Sequence, residues 1–232
     1  ALSRYPNPPF QSSQSGSSAA MLYRPFKDKV FVSATLFIAA FVLAQNVVVP
    51  LFSYSMLNVL HLNYSQVTLI SMLQNIVMMV SYYYWGVLNG RYPARTLLLW
   101  TFPLIAAACA VWVGMAALPV ILVLIVAHAL LGIGLGGYNL LVFNFLIGDS
   151  PKSERPMYVA VFSALTGLAG FLGPLIGGRL YQVAAEGPEW IRRYGLTSLA
   201  GAVLLVLALG VAPLVFRPRR KRREPASFSH GA

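Results

Sequence analysis

The 232-residue chain is short of charge, shorter of acid, and almost without cysteine. Asp, Glu, Lys and Arg make up 10% of it, where a soluble domain carries about 25%. Hydrophobic residues make up 58% and the mean hydropathy is +0.69. One core of this length cannot hide that much apolar surface, so the excess faces lipid and a soluble enzyme is excluded. The single cysteine, Cys109, lies inside an apolar run, which excludes an internal disulfide and a thiolate cluster for zinc or iron and sulfur. No metal and no cofactor is expected. The six acidic residues, Asp28, Asp149, Glu154, Glu186, Glu189 and Glu224, all lie outside the apolar runs. An enzyme working at membrane depth needs a nucleophile with a base, or a metal set, and the runs offer one His, one Cys and no acid. Residues 1–29 are rich in Ser and Pro and do not resemble a cleaved signal peptide, since the first apolar run is far longer than an h-region.

What is present is six apolar runs, near 31–57, 66–88, 96–116, 120–147, 157–183 and 195–216. Each is long enough for a helix that crosses a bilayer, and Pro, Gly, Asn or charge separates them. The expected fold is all-α: a polytopic membrane protein of six transmembrane helices, with the lipid bilayer as its solvent. Residues 1–29 are expected to form a cytoplasmic linker or tail, 30–216 the bundle, and 217–232 a basic cytoplasmic tail. Of the 17 basic residues, 14 fall before the first run, after the last, or in the second and fourth connections; Arg179, Arg192 and Arg193 fall on the other side. The positive-inside rule then puts both termini in the cytoplasm, in the plasma membrane. The formal charge of +11 thus marks sidedness, and no nucleic-acid partner is expected. The tail run Arg217 to Arg223 reads as a stop-transfer anchor or as a contact for anionic lipid. A chain beginning at Ala1 reads either as a piece of a longer polypeptide or as one that has lost its methionine.

In hydrocarbon an amide without a partner is costly, so amides in mid-span face the bundle interior or a watery cavity. Gln45 and Asn46 in the first run, Gln74 and Asn75 in the second, and Tyr138, Asn139 and Asn144 in the fourth are the groups concerned. They are either substrate-lining groups or interhelical hydrogen bonds, each worth about 0.6 to 2 kcal/mol; Asn144, nearer the loop, reads as the latter. The first two pairs lie at similar depth at a rise of about 1.5 Å per residue, and as substrate groups they share one cavity with Tyr138. His128 is either a packed interhelical side chain or a proton carrier. Gly132 and Gly136 are one helical turn apart and read as a packing notch rather than a dinucleotide loop. Tyr82-Tyr83-Tyr84-Trp85 fits an aromatic belt, with one tyrosine turned inward.

The second connection, Gly86-Val87-Leu88-Asn89-Gly90-Arg91-Tyr92-Pro93-Ala94-Arg95, resembles the signature loop of the major facilitator superfamily. Gly86, Leu88, Arg91 and Arg95 fall where the pattern wants them. Gly90 replaces its acidic residue and Pro93 its second glycine, so the family's charge relay does not carry over intact, and the two arginines read equally well as topogenic charges. In the fifth run, Gly170, Gly173, Pro174, Gly177 and Gly178 are similar to the family's G-P-x-x-G-G helix motif. Ser163, Gly167, Gly170, Pro174 and Gly177 recur every three or four residues, which predicts one smooth stripe for close helix approach, with a bend at Pro174. The connection Gly148 to Arg155 resembles the one before the family's eleventh helix.

The resemblance implies helices seven to twelve of a twelve-helix bundle, with a missing N-terminal six-helix half supplying the other wall of a central site. It implies a secondary active transporter that moves a small solute (sugar, drug or metabolite) by alternating access, with proton coupling in the other half. Gln45, Asn46, Gln74, Asn75, Tyr138 and Asn139 are then the candidate substrate-binding residues, and the signature loop the gate. The alternative is a six-helix membrane sensor or regulatory partner that does not transport.

Overall fold

The structure, a computed structural model, describes residues 18–216; the start of the linker and the basic tail with Arg217 to Arg223 lie outside the described residues. Six helical spans run Lys29–Asn58, Tyr64–Asn89, Ala94–Ala116, Val120–Asp149, Arg155–Ala185 and Leu196–Val215, each long and apolar enough to cross a membrane. The all-α, six-span architecture expected from the sequence is the one observed. The linker differs from expectation at its end, where α1 (Ser18–Lys27) is a helix packed on the first and fifth spans. Arg24 of α1 pairs with Glu154. Asp28 then caps α2 (Lys29–Val48), its carboxylate accepting from the Val30 and Phe31 N–H groups at 3.0 and 3.2 Å. The end of the bundle where α2 begins is called basal here, and the opposite end distal.

The spans form two groups. In one, α6 (Val120–Asp149) packs against both α4 (Tyr64–Asn89) and α5 (Ala94–Ala110); in the other, α2 packs against α7 (Arg155–Ala185) and α8 (Leu196–Leu205). The packing of α5 on α8 joins the two. Near the basal end Phe37, Phe41, Phe102 and Phe216 form an aromatic cluster with ring centroids 4.8 to 5.7 Å apart in the closest pairs, and Phe145 joins at 5.7 Å from Phe216. Tilted and edge-on pairs of this kind add to what burial alone contributes.

Glycines let α6 press on its neighbours. A Cβ at Gly132 would stand 2.6 Å from the Gln74 carbonyl oxygen, at Gly136 2.0 Å from Ser81 Oγ, and at Gly134 2.7 Å from Ile105. That closeness allows Trp85 Nε1–H to donate to the Ile133 carbonyl at 2.9 Å across the α4–α6 seam. The packing reading of Gly132 and Gly136 therefore holds.

The first span is broken. Pro50 has no N–H to offer the Asn46 carbonyl, and the chain passes through a 3-10 turn at Val49–Leu51, the short α3 (Phe52–Tyr54) and a π turn at Ser55–Val59. The sixth span widens to a π turn at Val206–Val211 just before Pro213, which opens α9 (Ala212–Val215). The break in span one rests on α7, where a Cβ at Gly173 would stand 2.5 Å from Asn46 Cβ and one at Gly177 2.0 Å from the Val47 carbonyl oxygen. Gly167, Gly170 and Gly178 have nothing within 4 Å, and Ser163 is exposed. Only the distal part of the predicted stripe is covered: Gly173 and Gly177 meet α2, while Ser163, Gly167 and Gly170, nearer the basal end of the same side of the helix, stand open.

Candidate functional site

Along α4, Thr68, Asn75 and Tyr82 recur at intervals of seven, which is two helical turns, so they share one face. All three are exposed. Thr68 Oγ1 donates to the Tyr64 carbonyl at 2.8 Å, and the Tyr82 hydroxyl accepts from Asn139 Nδ2 at 3.3 Å, across from α6. Asn75, Tyr82 and Asn139 therefore lie on one polar surface spanning α4 and α6, at membrane depth. Hydrocarbon against that surface would leave amide groups unsatisfied.

The other candidate residues sit deeper. Gln74 is half-buried, its carbonyl against Gly132 of α6. Tyr138 is half-buried with its ring centroid 6.2 Å from that of Phe102. Gln45 is 8% exposed, and its Oε1 has no hydrogen-bond partner, one turn before the break in the first span. Asn46 Nδ2 donates back to the Val42 carbonyl at 2.9 Å, with Cβ against Gly173. Among the described residues no hydrogen bond joins the α2 pair to the α4 pair. The reason lies in the packing: the neighbours of α2 are α7 and α8, whereas α4 rests on α6.

At the basal end the second connection closes tightly on Leu88, whose carbonyl accepts the N–H groups of Arg91 and Tyr92 at 2.9 Å each. Arg95, at the start of α5, grips Asp149 at the end of α6, Nε and Nη2 each 2.5 Å from Oδ2. Its guanidinium also lies 5.2 Å from the centre of the Phe145 ring, a cation–π distance. Arg91 is exposed and has no side-chain partner among the described residues. Gly86 has only the Leu140 side chain near it, at 4.0 Å. Arg95, Phe145 and Asp149 line two cavities at once, one of about 370 Å³ reaching Asp28, Phe31 and Thr96, the other of about 310 Å³ reaching Asn89, Tyr92 and Asn144. The Arg95–Asp149 pair is the partition between them.

Two members of these sites escaped sequence reasoning. Tyr82 had a signal, its spacing of seven from Asn75. Asp149 had a weaker one, the end of a span on the same side of the membrane as Arg95. At the distal end the Ser55 and Tyr181 hydroxyls meet at 2.6 Å, tying the π turn of span one to α7. His128 is buried, its Nδ1–H donating to the Leu124 carbonyl at 2.9 Å, its ring 5.7 Å from Phe52, which lies 4.5 Å from Trp112. That is the surrounding of a packed side chain.

Comparison with known proteins agrees with this architecture. The chain is 35% identical over 91 residues to an uncharacterized transporter of Schizosaccharomyces pombe, a match covering 39% of this chain and 15% of that protein. It is 34% identical over 91 residues to the MFS-type transporter pgmG of Aspergillus terreus, covering 39% of this chain and 16% of that one. The matched segments thus span about a sixth of these relatives' lengths. Residues 34–231 match the profile of the Major Facilitator Superfamily. With six spans in place and a family match over most of its length, the chain belongs to the Major Facilitator Superfamily.

Proposed function

We propose that this chain forms one wall of the translocation path of a secondary active transporter, moving a small solute by alternating access against a second six-helix half. The observation that carries the reading is the open polar face of Asn75, Tyr82 and Asn139. Lipid penalises such groups in mid-span, whereas a watery path or a facing helix satisfies them. The open small-residue face of α7, with Ser163, Gly167 and Gly170, supports the second half, because small residues let a facing backbone come close. Gln45, with its unpartnered oxygen beside a helix break, has the setting in which transporters place their sites; Asn46 adjoins it on α2, while Gln74 and Tyr138 belong to the other group of helices. The apolar runs hold no Asp or Glu, which favours a neutral or lipophilic solute on this side of the path. The charge distribution favours the plasma membrane with the basal end in the cytoplasm, where opening of the Arg95–Asp149 partition accompanies the change of access.

Cysteine labelling tests this without knowledge of the substrate. Cys109 is the single cysteine of this chain and is buried, so Cys109→Ser, combined with serine at every cysteine of the second half, gives a silent background. Asn75→Cys and Asn139→Cys are expected to react with a charged thiol reagent, and Leu209→Cys, exposed on the sixth span, to stay unmodified. Equal reaction at all three positions, or none at the first two, would overturn the reading.

A further inference from the structure

The exposed side of α4 divides into two strips. Leu69, Ile76, Val80 and Val87 form one, wholly aliphatic and open, the kind of surface that suits lipid. About a quarter of a turn round the helix, Thr68, Met72, Asn75, Met79 and Tyr82 recur at alternating steps of four and three, which is one helical face. There two methionines bracket the amide, Met72 54% and Met79 67% exposed, and the Asn75 side chain has no hydrogen-bond partner among the described residues. Tyr82 joins this strip to α6 through its bond with Asn139. Phe143, one turn further along α6, lies on the Asn139 side of that helix and is 57% exposed.

The long side chains of the second strip tell against a helix as its occupant. Close helix contact in a membrane uses small residues, as on α7 at Ser163, Gly167 and Gly170, whereas methionine is the adaptable, polarisable side chain of surfaces that mould to a ligand. Sulfur attracts aromatic rings, and Tyr82 and Phe143 offer ring surface of their own. The polar groups are few. Thr68 donates its proton to the Tyr64 carbonyl and Asn139 donates to Tyr82, so the two amides supply nearly all the remaining hydrogen bonds. A sugar brings more hydroxyls than such a wall can pair, and each one left unpaired is costly. No Asp, Glu, Lys or Arg lies within α4, or within α6 before Asp149, to neutralise an ion at membrane depth.

We propose that the solute received on this face is an uncharged aromatic molecule of two or three fused rings, with a hydroxyl or carbonyl group towards either end. Its rings lie against Met72, Met79 and Phe143. Its polar groups bond Asn75 and the Asn139–Tyr82 pair, which stand about 10 Å apart along the helix at about 1.5 Å per residue. The inference rests on the proposed function for the assignment of this face to a translocation path, and it narrows the cargo to one chemical class.

The test is saturable binding to the full-length polypeptide in lipid nanodiscs, with binding to empty discs subtracted. The probes are a naphthalenediol bearing one hydroxyl on each ring, naphthalene, naphthalenesulfonate and glucose. The diol is expected to bind saturably, and at least about tenfold more tightly than glucose or the sulfonate. Met72→Ala/Met79→Ala is expected to weaken diol and naphthalene alike by about tenfold, and Asn75→Ala to weaken the diol about fivefold and leave naphthalene unchanged. All three positions are exposed, so the melting temperature of the ligand-free protein should hold. Absence of saturable diol binding, equal binding of glucose or of the sulfonate, or a diol affinity undiminished in both variants would each overturn the proposal. A lower melting temperature of the ligand-free double alanine variant would put a helix of the second half on this face and overturn it too. The labelling of Asn75→Cys and Asn139→Cys needs no ligand, which keeps the two failures apart. If those positions react and the diol does not bind, the path stands and the aromatic class falls; if they do not react, both fall.

Discussion

Gly177 has no room for a methyl group: a Cβ there would stand 2.0 Å from the Val47 carbonyl oxygen, and one at Gly173 2.5 Å from Asn46 Cβ. Both would press on backbone or on the root of a side chain, which cannot swing aside. Gly177→Ala and Gly173→Ala are expected to destabilise the bundle by about 1 to 3 kcal/mol, the range for overpacking, read as a lower melting temperature in detergent. Gly178→Ala meets open space and should be neutral or stabilising by up to about 1 kcal/mol, the helix-propensity gain. The sequence showed that these glycines were for close approach but not which of them touched. A pattern of i, i+3, i+4 picks a helix face only broadly, and a motif with glycine at 170, 173, 177 and 178 covers adjacent faces at once. His128 makes the same point about chemistry. Its residue type allows proton transfer, yet the Leu124 carbonyl and the Phe52 ring hold it as packing. Replacement by Ala should cost about 2 to 4 kcal/mol, as for a large core side chain, and leave the pH profile of transport unaltered. Loss of pH dependence in that variant would make it the proton carrier instead.

Among the elements, the connection between α4 and α5 is where two arginines with equal claims in the sequence part company. Arg95 holds Asp149 with two nitrogens and is largely shielded, whereas Arg91 stands in the open. Asp149→Asn and Arg95→Gln are each expected to cost about 1 kcal/mol, the upper part of the range for a partly exposed pair, with a smaller difference at high salt. Arg91→Gln should leave the melting temperature unchanged, and the exchange Arg95→Asp/Asp149→Arg should recover part of the loss. Thermal unfolding at two ionic strengths measures all four variants. Local pattern made the six spans legible, since length and apolarity alone decide what a bilayer accepts. The Arg95–Asp149 pair joins residues 54 apart, and no periodicity reports such a contact. The break in span one was half legible: Pro50 marks where a carbonyl loses its donor, while the 3-10 and π turns that absorb the loss depend on the contact with α7. Helix α1 went unread because a Ser-rich approach and Pro25 mask a short helix that is held by Glu154 and two spans.

On the scale of the whole molecule, three stretches of α7 make separable demands. One, at Gly173 and Gly177, is filled by α2. Another borders an apolar groove shared with α8. The third, with Ser163, Gly167 and Gly170, has nothing against it, although a stripe of small residues is suited to a helix rather than to lipid. If a second six-helix half closes on that stripe during alternating access, bulk there should block the closed contact without disturbing this half. Gly167→Leu/Gly170→Leu is therefore expected to leave the stability of the six-helix unit within about 0.5 kcal/mol of wild type, as for substitutions away from packed sites. Transport by the full-length polypeptide should fall by about tenfold or more, the loss expected when about 1.4 kcal/mol is taken from a required contact. Bulk placed instead at Leu209 on the sixth span should do neither. Unchanged transport in the double leucine variant would mean that the stripe faces lipid, and would remove the argument from α7 for a second half.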